Sequence, residues 1–323
     1  MSVESAATET QDFLKEVQTT TLPARVEELA DEYERVCGER DRFLWQWIYS
    51  LFPEFTLSSV HSGHADHVRT QKTILTMYVT ILDDIIENDG DRDTFEEARR
   101  LSQTPSTVDP RRASVSDEYF AFIERVWREF ESGLTDAPRL DEFADIFQYD
   151  MRQTLNAMDY SAVVNENPRI ANLSGAEHYG AHNMVMFPYA DVDLMYSPTF
   201  ELSDFGTVRD LLWDLQEMAR IGNWLTTWER EVREGDYTAG IVVLALQEGL
   251  ISPAELQGAD DEKAAIIEKI KAEKLESQFR ERWAERYRTV RDREFDTESV
   301  DLDALVKGME TVFQYHEASR GHK

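Results

Sequence analysis

Leu82-Asp83-Asp84-Ile85-Ile86-Glu87-Asn88-Asp89 directly follows the apolar run Thr73 to Leu82, which holds no Gly or Pro and is long enough for about three helical turns. Such a run reads as a buried helix, so its acidic end emerges from a core. Asp83 and Glu87 stand four apart and share one helix face, with Asp84 one step round, so the three carboxylates can converge on one point. Carboxylates that close repel one another and resist burial. In an acidic chain the bland reading is a solvated helix end. The sharper one is a divalent cation held by Asp83, Asp84 and Glu87, with Mg²⁺ suited to a few carboxylates completed by water and phosphate oxygens.

A second constellation bears on that choice. Residues 205–234 read as one long helix, in which Asn223, Thr227 and Glu231 follow an i, i+4, i+8 spacing. That places a carbonyl oxygen, a hydroxyl and a carboxylate along one stripe, all hard oxygen donors. A helix wall facing the first motif could hold the other side of a metal cluster. With so few protein charges the cluster would stay positive and require an anion such as diphosphate to complete it.

Composition narrows the partners. The 323 residues are 41% hydrophobic, enough for a sizeable core. A formal charge of −30, from 64 Asp+Glu against 34 Lys+Arg, argues against nucleic acid or an anionic membrane surface. Only 8 of the 34 basic residues are Lys. An acidic, Lys-poor surface suits a cytoplasmic protein of a halophilic, high-salt organism, where dense carboxylates keep the surface hydrated. Cys37 is the only cysteine, so neither an intrachain disulfide nor a thiolate metal cage is available. Met1 to Glu16 lacks the basic start and apolar stretch of a signal peptide, and no run approaches 18 apolar residues, so no integral membrane segment is expected.

Along the chain, residues 1–20 read as a disordered polar tail and 21–323 as a single α-helical domain. Residues 23–52 have a helical pattern ending at Pro53, with Trp45 and Trp47 as core. His61, His64 and His67 fall three apart, but that spacing drifts around a helix, and a polar helix start is the simpler reading. A loop rich in Ser, Thr and Pro over 102–116 separates Phe95–Leu101 from helices over 117–132 and 139–160. His178 to Leu194 reads as a helix broken inside an apolar region near Pro188, which leaves buried backbone groups in need of partners. Helices over 238–250, 261–290 and 300–318 follow. With no strand pattern, the chain reads as all-α.

The two motifs together resemble those of the class I terpene synthases. The aspartate-rich motif of that family looks like Asp83, Asp84 and Glu87. Its second metal motif, with a basic residue before the Glu, looks like Asn223, Thr227, Arg230 and Glu231. The continuation Gly235-Asp236, Ile241 to Leu244 and Ser252 to Glu255 is also similar, and the motifs lie 140 residues apart. The resemblance implies an antiparallel helical bundle around a central apolar cavity, in which three Mg²⁺ ions, with Mn²⁺ as a substitute, grip a linear prenyl diphosphate of C15 or C20. Ionisation and release of diphosphate would give a cyclic or linear terpene. It also leaves room for a homodimer.

By that resemblance Arg230 and Arg320 contact diphosphate. The family's upstream Arg, a few residues after a Tyr, is missing here: Tyr179 is followed by His182 and Asn183, and these take that place in the reading. Cavity-wall candidates are Tyr78, Phe187 and Trp224, since an aromatic face stabilises a cation by roughly 0.5–2 kcal/mol. Two alternatives stand beside the synthase: a non-catalytic isoprenoid-binding or interaction protein on the same scaffold, and a chain-elongating prenyl transferase. The latter is disfavoured by Asn223, Thr227 and Glu231 in place of a second aspartate-rich motif.

Overall fold

The computed structural model describes residues 13–38 and 40–321, and every regular element among them is helical. In chain order these are α1 (residues 13–19), α2 (Ala24–Val36), α3 (Arg42–Leu51), α4 (Ala65–Asp83), α5 (Arg92–Gln103), α6 (Asp117–Leu134), α7 (Leu140–Glu166), α8 (Leu173–His178), α9 (Met186–Met195), α10 (Phe205–Glu234), α11 (Gly240–Gln247), α12 (Pro253–Leu256), α13 (Asp260–Ala272), α14 (Leu275–Arg291) and α15 (Leu302–Ala318). Short 3₁₀ turns join several of them, and one π turn, Asp84–Asn88, extends α4.

The apolar run behaves as its composition requires. Ile74, Leu75, Met77, Tyr78, Ile81 and Leu82 of α4 are all buried, and a helix apolar nearly all round belongs inside the protein. It packs on α3, α6 and α9, while α10 packs on α14 and α15 and α7 packs on α9. Inside this core lies an ion pair that the pattern of apolar residues does not announce. Lys72 Nζ reaches Asp193 Oδ1 at 2.7 Å and Oδ2 at 2.9 Å, and both side chains are wholly buried. Thr56 Oγ1 accepts from the same ammonium at 3.2 Å, and Asp193 Oδ2 accepts from Leu57 N at 2.9 Å. A buried charge pair persists only when its remaining hydrogen-bonding capacity is met, as here. The network ties α4, α9 and the 3₁₀ turn Phe52–Phe55 together. On the turn's other side Gly308 lets α15 approach, because a Cβ there would lie 1.6 Å from Glu54 O.

Several expected boundaries shift for local reasons. The helix expected over 23–52 is two: the N–H groups of Cys37 and Gly38 both reach Tyr33 O, and Gly38 has φ 72°, a left-handed cap that ends α2. Pro53 starts no new loop but opens the 3₁₀ turn. The helix expected over 261–290 breaks at Lys274, with φ 56°. The break expected near Pro188 falls at Val185, with φ 58°, and Pro188 sits in the first turn of α9 where it lacks no needed N–H. Of the tail expected over 1–20, residues 1–12 lie outside the described residues, while 13–19 are helical and Val17 is buried. His67 Nε2 is spent on Gly133 O and Tyr196 Oη, at 2.8 and 2.9 Å, and His61 Nδ1 accepts from Gly63 N, in keeping with a polar helix start.

Candidate active site

A cavity of about 230 Å³ lies among α3, α4, α9, α10 and α15. Apolar groups line it from α3 and the turn after it (Trp47, Phe52, Phe55), from α4 (Val79), from α9 (Met186, Tyr189) and from α15 (Met309, Val312). Phe52 meets Tyr189 edge-on at 5.0 Å, and Tyr189 Oη shares a 2.7 Å hydrogen bond with Thr76 Oγ1, so these rings are tied to each other and to α4. Polar groups come from the end of α4 (Asp83, Glu87), from the 3₁₀ turn Gly180–Met184 (Asn183), and from α10 and the residues after it (Arg220, Asn223, Thr227, Arg230, Glu231, Asp236). Arg40 completes the lining; its side chain and that of Arg230 are 18% and 33% exposed, so this polar side reaches solvent.

The structure therefore brings Asp83, Glu87, Asn223, Thr227, Glu231, Arg230 and Asn183 to one cavity. Asn183 Nδ2 donates to Asp83 Oδ1 at 2.9 Å, linking the turn to the acidic motif. Thr227 Oγ1 donates to Asn223 O at 2.8 Å, which leaves the hydroxyl's lone pairs for an outside partner.

Asp84 departs from the expectation. Its carboxylate turns away from the cavity and accepts from Arg40 Nε at 3.2 Å and Nη2 at 2.5 Å, from Tyr33 Oη at 3.3 Å and from Asn88 Nδ2 at 2.9 Å. The π turn, closed by Asp89 N on Asp84 O at 3.1 Å, sends Asp83 and Glu87 to one side and Asp84 to the other.

The aromatic candidates also lie elsewhere. Tyr78 is fully buried, with its hydroxyl on Ala98 O at 2.8 Å. Trp224 packs over Gly240, where even a Cβ would come within 2.5 Å of its ring, and edge-on against Phe279. Phe187 and His182 pack with Trp213, at 5.0 and 5.1 Å between ring centroids, outside the cavity lining. Burial holds His182 below the ordinary imidazole value, hence neutral at pH 7. Arg320 is on α10 and α14 rather than at the cavity: its Nη2 donates to Glu229 at 2.6 Å and to Glu276 at 2.7 Å. Sequence reasoning missed Arg40, Arg220, Asp236 and Tyr189 as lining residues. Arg220 carried a signal, standing three residues before Asn223 on the same helix; Arg40, in the loop after α2, carried none.

The electrostatics of the cavity favour a cation. Burial and the neighbouring Asp84 charge push Asp83 up to about 6. Burial and the charge of Asp236 push Glu231 up to about 7, and burial with the charge of Asp83 drives Glu87 well above the usual carboxylate range. Glu87 Oε1 is buried with no hydrogen-bond partner. Among the described residues no three His, Cys, Asp or Glu groups are gathered as a ready cation site. The donor set is instead split over two walls and includes an amide and a hydroxyl. A group of hard oxygens short of positive charge, one of them without a partner, fits Mg²⁺ or a like ion. No described helix is long and apolar enough to cross a membrane.

Comparison with known proteins agrees with this layout. No curated protein sequence matches the chain. Among solved structures, the farnesyl diphosphate synthase of T. brucei complexed with a bisphosphonate is similar, with a TM-score of 0.53 at 12% identity over 99% of this chain and 98% of that one. At that identity the likeness speaks for the fold, the all-α bundle around a central cavity that the class I terpene synthases share. A family model described as terpene synthase family 2, C-terminal metal binding, matches residues 75–270. That match spans more than half of the chain and takes in both acidic walls of the cavity, so the chain belongs to terpene synthase family 2.

Proposed function

We propose that the protein is a Mg²⁺-dependent terpene synthase that ionises a linear prenyl diphosphate of C15 or C20 and releases diphosphate. One observation carries the reading: a single cavity has a polar side built from Asp83, Glu87, Asn223, Thr227 and Glu231 and an apolar side built from Trp47, Phe52, Phe55 and Tyr189. The substrate has the same division, a diphosphate joined to a hydrocarbon chain. Bound Mg²⁺ would supply the charge that stabilises the departing diphosphate.

The remaining work falls to the protein. Asp83 and Glu87 on one wall and Asn223, Thr227 and Glu231 on the other are the metal ligands in this reading. Arg230, whose buried Nε has no partner, faces the same space and can donate to the diphosphate. The aromatic wall excludes water from the hydrocarbon, and a ring face met by positive charge would stabilise it by roughly 0.5–2 kcal/mol. We assign Asp84, Tyr78, Phe187, Trp224, His182 and Arg320 to holding the fold, on the placements given above.

Incubation with Mg²⁺ in high salt and with C10, C15, C20 and C25 prenyl diphosphates separately, followed by gas chromatography and mass spectrometry, tests the proposal. A Mg²⁺-dependent hydrocarbon or alcohol from one substrate is expected. A folded protein that leaves all four intact refutes it. A second reading, chain elongation, is favoured by the fold of the farnesyl diphosphate synthase noted above. It predicts no product until a C5 homoallylic diphosphate is added, and then a longer diphosphate.

A further inference from the structure

Arg220 is unusual in this chain. It is 5% exposed, and among the described residues it makes no ion pair within 4 Å, although most of the arginines do. Its one hydrogen bond is from Nη1 to Asn223 Oδ1, at a long 3.3 Å, and its Nε is buried with no partner. The guanidinium lies against the Trp224 ring at 5.5 Å, with Nη2 beside Gly180 in the turn that carries Asn183. Burial without a partner costs an arginine several kcal/mol unless nearby charge compensates.

That charge is at hand. Arg220 lines the same cavity as the Asp83, Glu87 and Glu231 carboxylates. It stands on the helix that carries one wall and bonds there only to the Asn223 amide, making no ion pair with a carboxylate of either wall. A cation entering the cavity takes over those carboxylates and leaves the guanidinium without compensation, next to the place where an anion completes the cluster. A planar fork of donors matches phosphate oxygens in pairs.

We propose that Arg220 is a diphosphate ligand held in reserve: in the free protein it is the internal counter-ion of the Asp83, Glu87 and Glu231 carboxylates, and once metal replaces it there it binds the diphosphate. The inference rests on the prenyl diphosphate reading of the site and adds to it the residue that couples metal occupancy to anion capture. It also explains how the cavity tolerates its acidic groups before metal arrives.

Isothermal titration calorimetry tests it without turnover, using Mn²⁺ alone and then inorganic diphosphate with Mn²⁺ present, on wild type, Arg220→Gln and Arg220→Lys, each checked for folding by circular dichroism. In Arg220→Gln the competing charge is gone, so Mn²⁺ alone should bind several-fold more tightly, while diphosphate should bind at least about tenfold more weakly. Arg220→Lys keeps the charge but not the fork, so Mn²⁺ affinity should stay near wild type and diphosphate affinity should fall between the other two. If Arg220→Gln does not fold, the Lys variant carries the test through its diphosphate affinity. Diphosphate or Mn²⁺ affinity in Arg220→Gln within about twofold of wild type, or diphosphate affinity in Arg220→Lys equal to wild type, overturns the assignment. Wild type that takes up no diphosphate with metal present overturns the prenyl diphosphate reading itself, a result distinct from a variant that behaves like a competent wild type.

Discussion

Arg40 grips Asp84 through two nitrogens, and that pairing sets neighbouring aspartates to different tasks: Asp84 is 1% exposed inside a hydrogen-bonded network, while Asp83 lines the cavity with Asn183. Removing one partner of a buried pair leaves the other uncompensated, at about 3–5 kcal/mol. Asp84→Ala should therefore lower stability by about 3 kcal/mol. Asp83→Ala should leave stability within about 1 kcal/mol of wild type and abolish turnover. Thermal unfolding beside a product assay checks the pair of outcomes. An Asp84→Ala protein as stable as wild type would remove the structural role given to that residue.

Asp83, Glu87 and Glu231 are half-buried carboxylates of one cavity, raised above their ordinary values by partial burial and neighbouring negative charge, so the metal-free site carries a repulsion that a cation relieves. Ligands that bind only the native state stabilise it by mass action, about 2.7 kcal/mol at a hundred times Kd. Mg²⁺ with inorganic diphosphate should raise the melting temperature more than either alone. EDTA should abolish both the rise and turnover, and added Mg²⁺ should restore both. A melting temperature indifferent to the combination would count against the two-walled metal site.

The long helix α10 was readable because Asn223, Thr227 and Glu231 recur at helical spacing, and position along a helix determines which side chains share a face. Which way a face points is decided by neighbours far off in sequence. Trp224 packs over Gly240, which leaves room for its ring, and Trp47, buried as a core residue should be, also borders the cavity where it meets His316 of α15 edge-on. Asp84 was misplaced for a related reason: the π turn changes the angular step just where the acidic motif begins, and Arg40, its partner 44 residues away, gives no periodic sign. The acidic composition hid Lys72 and Asp193 altogether, since burial of a charge pair depends on the acceptor that Thr56 Oγ1 supplies to the ammonium and the donor that Leu57 N supplies to the carboxylate.

Arg320 ties the end of α15 to two other helices. It meets Glu229 on α10 and Glu276 on α14, and Glu276 also accepts from Trp228 Nε1 at 2.8 Å. Its side chain is 35% exposed, so the pairs are worth little more than surface salt bridges. Arg320→Ala should cost about 1 kcal/mol and leave kcat within a few-fold of wild type. A loss of a hundredfold or more in kcat with unchanged stability would instead show that the residue reaches the substrate.

Asp191 carries the clearest pH dependence outside the cavity. Its carboxyl is 1% exposed with neither oxygen hydrogen-bonded, and Arg209 Nη1, already committed to Asp150 Oδ2 at 2.7 Å, stands 3.9 Å away. Burial first, and the Asp150 charge second, raise Asp191 well above the usual carboxylate range. The folded state therefore holds a proton that the unfolded chain gives up above about pH 4, and the associated stability is lost as pH rises from there toward the folded value. Asp191→Asn stays neutral at every pH and keeps the shape of the protonated acid. It should unfold near the wild-type temperature at about pH 4, then gain on wild type by up to about 1.4 kcal/mol per pH unit until the folded carboxyl ionises. Denaturant unfolding of both proteins between pH 4 and 8 measures the gap. A gap that stays constant or narrows as pH rises would mean that Asp191 is ionised in the fold and that Arg209 serves both aspartates as a counter-ion.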